Sequence, residues 1–136
     1  MLNQQFTLNH NEEALRTLCV DIRELVDAGK LDEAQAYAGS AMAVFPDAPQ
    51  PHNLYAIVLE EKGNHIQAMK HFRAAWTLDP SYMPARHNIE QFDTFAGESK
   101  FAFDEADCMP HQKRSRLEGE PKGLGRLFRK INENFC

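Results

Sequence analysis

The sequence predicts an all-α protein built as an array of antiparallel helical hairpins, and three sets of residues at one period carry that expectation. Gly29, Gly63 and Gly97 stand 34 residues apart. Each is followed five residues later by an alanine, Ala34, Ala68 and Ala102. Pro46 and Pro80 keep the same spacing, each 17 residues after its glycine. A fixed period of this length marks stacked two-helix units, none of which can bury its apolar face alone. Composition agrees, because helix formers dominate, β-branched runs are absent and 43% hydrophobic content is ample for one core in 136 residues.

Each mark has a mechanical role. A glycine closes a helix in the left-handed conformation without steric cost, so Gly29, Gly63 and Gly97 are each expected to end the first helix of a hairpin. Alanine early in the second helix lets the two helices approach closely, where a larger side chain would overpack the contact. Proline cannot continue a helix and disfavours helical backbone in the residue before it, so Pro46 and Pro80 punctuate the hairpin ends. The first unit runs from Leu15 to Ala48 and the second over 49–82. The third starts at Met83, and Pro110 cuts its second helix short, as in a terminal cap.

These residues resemble the tetratricopeptide repeat, whose pattern is W-x2-L-G-x2-Y, then A-x3-F, then A and P at set offsets. The second unit fits best, with Tyr55, Ala56, Leu59, Gly63, Ala68, Phe72, Ala75 and Pro80 in register and His52 in place of the first Trp. The first keeps Leu18, Leu25, Gly29, Ala34, Ala41 and Pro46, but has Asp21, Ile22 and Ala38 at positions usually filled by Leu, a small residue and Phe. The third keeps Ala85, Asn88, Ile89, Gly97 and Ala102, with Glu90 and Asp93 at packing positions. The resemblance covers about residues 12–110 and implies a right-handed array of two clear repeats and a degenerate third, within a domain of residues 1–110.

It also implies where function resides, in the concave groove lined by the first helix of each hairpin. The lining positions are Arg16, Cys19, Val20, Arg23, Val26 and Asp27 in the first unit. In the second they are Gln50, Asn53, Leu54, Ile57, Glu60 and Glu61, and in the third His87, Asn88, Gln91, Thr94 and Phe95. Two arginines at one end, an apolar patch from Leu54 and Ile57, and amides with an aromatic beyond suit a peptide with apolar anchors and acidic groups near Arg16 and Arg23. The family's clamp for a C-terminal carboxylate is missing, because Cys19 and Arg23 stand where it needs Lys and Asn, and Leu54 where it needs Asn. Any one of these side chains could equally be solvated or packed.

Catalytic patterns are absent. There is no G-x-S-x-G, P-loop, G-x-G-x-x-G or H-E-x-x-H, and the glycines around Gly123 and Gly125 follow a charged linker and not a strand. The six histidines are scattered; His65 and His71 fall on different faces of one helix, and His52 and His87 on separate units. Three cysteines cannot complete a disulfide framework and fit a reducing compartment. Cys108 and His111 form a C-x2-H pair without the second pair that structural zinc requires. Neither a cofactor nor a metal is expected. The start MLNQQFTLNHNEE has no signal-peptide pattern and no span of about 18 apolar residues exists, so the expectation is a cytoplasmic, non-enzymatic protein or peptide binder.

Charge separates the last part of the chain from the rest. From His111 onward seven basic residues face three acidic ones, or +4, whereas residues 1–110 carry −9. Residues 111–123 read as a polar basic linker, and 124–136 as a basic amphipathic helix with Leu124, Leu127, Phe128, Ile131 and Phe135 on one stripe. Three uses fit it: docking on the array in its own subunit or a second copy, resting on an anionic membrane surface, or meeting another protein. The alternative to groove binding is therefore a self-assembling or membrane-peripheral protein acting through this helix. Nucleic acid ranks last, since the acidic body would repel phosphate.

Overall fold

The computed structural model describes residues 2–93 and 101–108, without the side chains of residues 2–9, 92 and 93. Five α-helices follow one another: α1 (Leu2–Asp27), α2 (Leu31–Val44), α3 (Pro49–Glu61), α4 (His65–Leu78) and α5 (Met83–Asp93). A 3-10 turn spans Glu105–Cys108, and there is no strand among the described residues. The fold is all-α. Each helix packs on the next, α3 and α4 most extensively, and α3 also touches α1 and α5.

The helix ends explain the sequential packing. Gly29 and Gly63 hold φ of 74° and 83°, the left-handed region an L side chain resists. At the first, Gly29 N–H donates to Val26 O at 3.0 Å and Lys30 N–H to Leu25 O at 2.8 Å. At the second, Gly63 N–H donates to Glu60 O at 2.9 Å and Asn64 N–H to Leu59 O at 2.8 Å. Both are Schellman closures, which satisfy the last carbonyls of a helix and reverse the chain. The hairpin ends also match: Phe45 N–H donates to Ala41 O and Ala48 N–H to Phe45 O, and Asp79 with Ala75, and Tyr82 with Asp79, repeat these bonds 34 residues later.

Small residues fill the helix contacts. Ala34, Ala38, Ala56, Ala68 and Ala75 are fully buried, and around them Ile22, Leu54, Ile57, Val58 and Phe72 form the large interior side chains. This is dense packing with no slack for added methylenes.

Two expectations change. Helix α1 begins at Leu2, well before the start expected from the repeat pattern. The third unit does not form a second helix at Ala102, because residues 101–103 have no regular structure. The physical reason is visible in the hydrogen bonds: the N–H and C=O of Ala102 are both taken by side chains of other helices, leaving neither for a helical ladder. Gly97, the linker over 111–123 and the expected helix over 124–136 lie outside the described residues.

Candidate functional site

Residues 101–108 lie against α1, α3 and α5, on the face where the sequence places a groove. Asn53 on α3 and Asn88 on α5 are each 0% exposed. An amide buried without partners would cost a few kcal/mol, so their bonds decide whether the face is stable. Asn53 Nδ2 donates to Ala102 O at 2.9 Å, and Asn88 Nδ2 donates to the same oxygen at 2.9 Å. Asn88 Nδ2 also donates to Asn53 Oδ1 at 2.9 Å, and Ala102 N–H donates to Asn88 Oδ1 at 2.8 Å. The two amides thus read the main chain of residue 102, donor and acceptor together, and the residue is fully buried.

Side chains on either side of Ala102 complete the seating. Phe103 is buried in the main core cluster, Phe101 packs against that cluster, and the two rings meet edge on at 6.4 Å between centroids. The Arg23 guanidinium stands 4.9 Å from the Phe103 ring centroid and pairs with the Asp107 carboxylate. Asp107 Oδ2 also accepts from Phe103 N–H at 2.8 Å and Asp104 N–H at 3.3 Å, while Asp104 Oδ1 accepts from Ala106 N–H at 2.9 Å. The 3-10 turn therefore wraps one carboxylate and presents it to Arg23. Burial pushes the Asp107 carboxyl above the usual range, against the Phe103 N–H and Arg23, which pull it down.

The expected groove residues divide by position. Cys19, Asn53, Leu54, Ile57 and Asn88 are buried on the inner face, and Arg23 reaches the segment. Leu54 and Ile57 belong to the same core cluster as Phe103, so they are not the open apolar patch that the sequence suggests. Val20 is 52% exposed and points away from that core. Glu60 Oε1 and Oε2 both lie 3.0 Å from His65 Nδ1 on α4, apart from the segment. His87 and Gln91 are half-buried on α5; Thr94 and Phe95 lie outside the described residues. Arg16 is exposed and lines a pocket of about 420 Å3 together with Gln50 and Cys19. Burial pushes the Cys19 thiol up to about 12, so it is neutral and unreactive there.

Phe103 and Asp107 were not among the expected site residues. The short apolar run Phe101-Ala102-Phe103 before Asp104 carries no periodicity of its own, and the 34-residue spacing assigns Ala102 to a helix. Elsewhere, His52 Nδ1 and His71 Nδ1 approach to 3.0 Å between α3 and α4, and burial holds both rings below the usual histidine range. Among the described residues no three His, Cys, Asp or Glu side chains are grouped to hold a metal ion, and no helix is long and apolar enough to cross a membrane. Comparison with protein-family models, curated proteins and solved structures gave no match to this chain.

Proposed function

We propose that this chain is a tetratricopeptide-like, non-enzymatic interaction module, and that the inner face of α1, α3 and α5 is a peptide-binding groove occupied in cis by residues 101–108. The observation that carries this reading is the pair of buried asparagines bonded to the main chain of Ala102. Side-chain amides hold the peptide unit through its main chain, the full burial of Ala102 restricts that position to a small residue, and the flanking pockets select side chains. The identical closures at Gly29 and Gly63 support the repeat reading, since the same bonds recur at the period of the sequence. The preferred ligand is then a short non-helical segment with two aromatics flanking a small residue, followed by an acid that Arg23 can receive. A partner bearing such a segment would compete with residues 101–108 for the face.

A labelled peptide of residues 99–108 tests this. In the wild-type chain the tethered segment competes at an effective concentration of about millimolar, so binding should be weak. A variant carrying Phe103→Ser and Asp107→Ala, which alters the segment and leaves the groove intact, should bind the peptide about tenfold more tightly. Adding Asn88→Ala should abolish that gain. A folded double variant that ignores the peptide at millimolar concentration would exclude the groove.

A further inference from the structure

His52 on α3 and His71 on α4 play no part in seating residues 101–108, yet they meet across the most extensive helix contact of the fold. Their ring centroids lie 5.3 Å apart at an interplanar angle of 24°, and the two Nδ1 atoms are 3.0 Å apart. That is a hydrogen-bond distance, and it dictates where the protons sit. A neutral imidazole carries one N–H, on either nitrogen, so one ring must hold its proton on Nδ1 and donate it to the bare Nδ1 of the other. The accepting ring then keeps its own proton on Nε2. Neither Nε2 bonds to another group among the described residues, so the contact between the rings alone fixes the two tautomers.

The same geometry limits how many protons the pair can take. A first added proton enters at the donor ring's Nε2 and leaves the Nδ1–H···Nδ1 bond in place, now charge-assisted. A second must occupy the accepting Nδ1, which sets two N–H groups of two cations against each other at 3.0 Å. Little surrounds the pair to offset that repulsion. From α3 the ring of Tyr55 lies 4.7 Å from that of His71, and Gln35 Nε2 of α2 donates to the Tyr55 hydroxyl at 3.1 Å. Lys70 and Arg73 on α4 and Asp47 before α3 are exposed, while Asp32 of α2 pairs with Lys62, Glu60 with His65, and Arg86 with Glu90 on α5. No charged side chain of α1, α2 or α5 acts on either ring: burial lowers both histidines, and the charge of His52 lowers His71 further.

We propose that His52 and His71 form an acid-sensitive catch between α3 and α4, joined by one shared proton near neutrality and driven apart by a second. The catch lies one residue from Asn53, the α3 amide that holds the Ala102 carbonyl, so its opening loosens the turn on which residues 101–108 are seated. It stands whether or not the inner face accepts a partner in trans. With both rings lowered in the folded state, the unfolded chain binds these protons more tightly. The stability that the catch contributes is therefore complete above the unfolded histidine value of about 6.5 and is lost as the pH falls below it. This sign is opposite to that of Asp107, whose raised carboxyl favours the folded state as the pH falls.

Two measurements on the full-length protein test the catch. Long-range proton–nitrogen correlation spectra of the wild type, assigned through the backbone, read the tautomer of each ring at pH 7.5 and follow both rings into acid. One ring should be in the Nδ1–H form, the minority form of a free imidazole, and the other in the Nε2–H form, and the pair should titrate in two separate steps. Both rings in the Nε2–H form, or both titrating together as free histidines do, would overturn the catch. The other measurement is the unfolding constant at pH 7.5 and pH 5, for the wild type and for His52→Phe with His71→Phe, which keeps two flat rings and removes both titrations. Between those conditions the constant of the wild type should rise about tenfold more than that of the double variant, and protection of the Ala102 amide should fall in the wild type alone. An equal rise in the two proteins would also overturn the catch, and the spectra decide the matter even where the double variant does not fold.

Discussion

At the scale of single residues, Asn88 ties the most groups together. Its amide holds Asn53, the Ala102 carbonyl and the Ala102 N–H, and all three are buried. Replacing it leaves groups that water cannot reach, which is a different loss from removing a contact on the surface. Asn88→Ala should therefore cost about 1 to 3 kcal/mol and speed hydrogen exchange at the Ala102 amide, while amides in α3 and α4 stay protected relative to it. Denaturant unfolding and amide exchange measure the two parts separately. A stable variant whose Ala102 amide stays protected would mean that the asparagine pair does not hold the segment. Nothing in the sequence points Asn88 toward Ala102, because the bonded atoms are brought together by packing of α5 on the segment and not by any local pattern.

At the scale of elements, the two glycine turns were the most legible part of the fold. A left-handed residue is a local demand, and it shows in the sequence wherever glycine recurs before a helix start. The third glycine made the same promise for residues 98–110, yet the chain around Ala102 is non-helical. Local spacing gave way there to side-chain bonds from helices 14 and 49 residues away in sequence. The surviving turns allow a controlled comparison. A Cβ built on Gly29 or on Gly63 meets nothing within 4 Å, so substitution costs backbone strain and no packing. Gly29→Ala and Gly63→Ala should each lose roughly 1 to 2 kcal/mol, and by the same amount within experimental error. Unequal losses in thermal unfolding would show that the two closures differ in more than position.

At the scale of the whole molecule, the pair between Arg23 and Asp107 joins the first helix to the far end of the described chain, 84 residues apart. The Asp107 side chain is fully buried and that of Arg23 is 18% exposed, so breaking the pair leaves a carboxylate out of water. Arg23→Met keeps the length of the side chain and removes only its charge and donors. At pH 7 the variant should lose about 3 kcal/mol and release the segment before the helices melt. The loss should depend on pH, with a sign fixed by the direction of the Asp107 shift. Burial already raises its carboxyl above the unfolded value, and Arg23 is one of the groups that hold it down, so the variant raises it further. A carboxyl held high in the folded state binds a proton more tightly than the unfolded chain does, and stability then falls as pH rises through the window between the two values. Removing Arg23 widens that window. The gap between wild type and variant should accordingly be smallest near pH 4, where Asp107 can enter the interior as the neutral acid, and grow to its full size toward neutrality. Thermal unfolding of both proteins at pH 4 and pH 7 measures it, and an equal gap at the two values would mean that the charge of Asp107 is not what Arg23 answers.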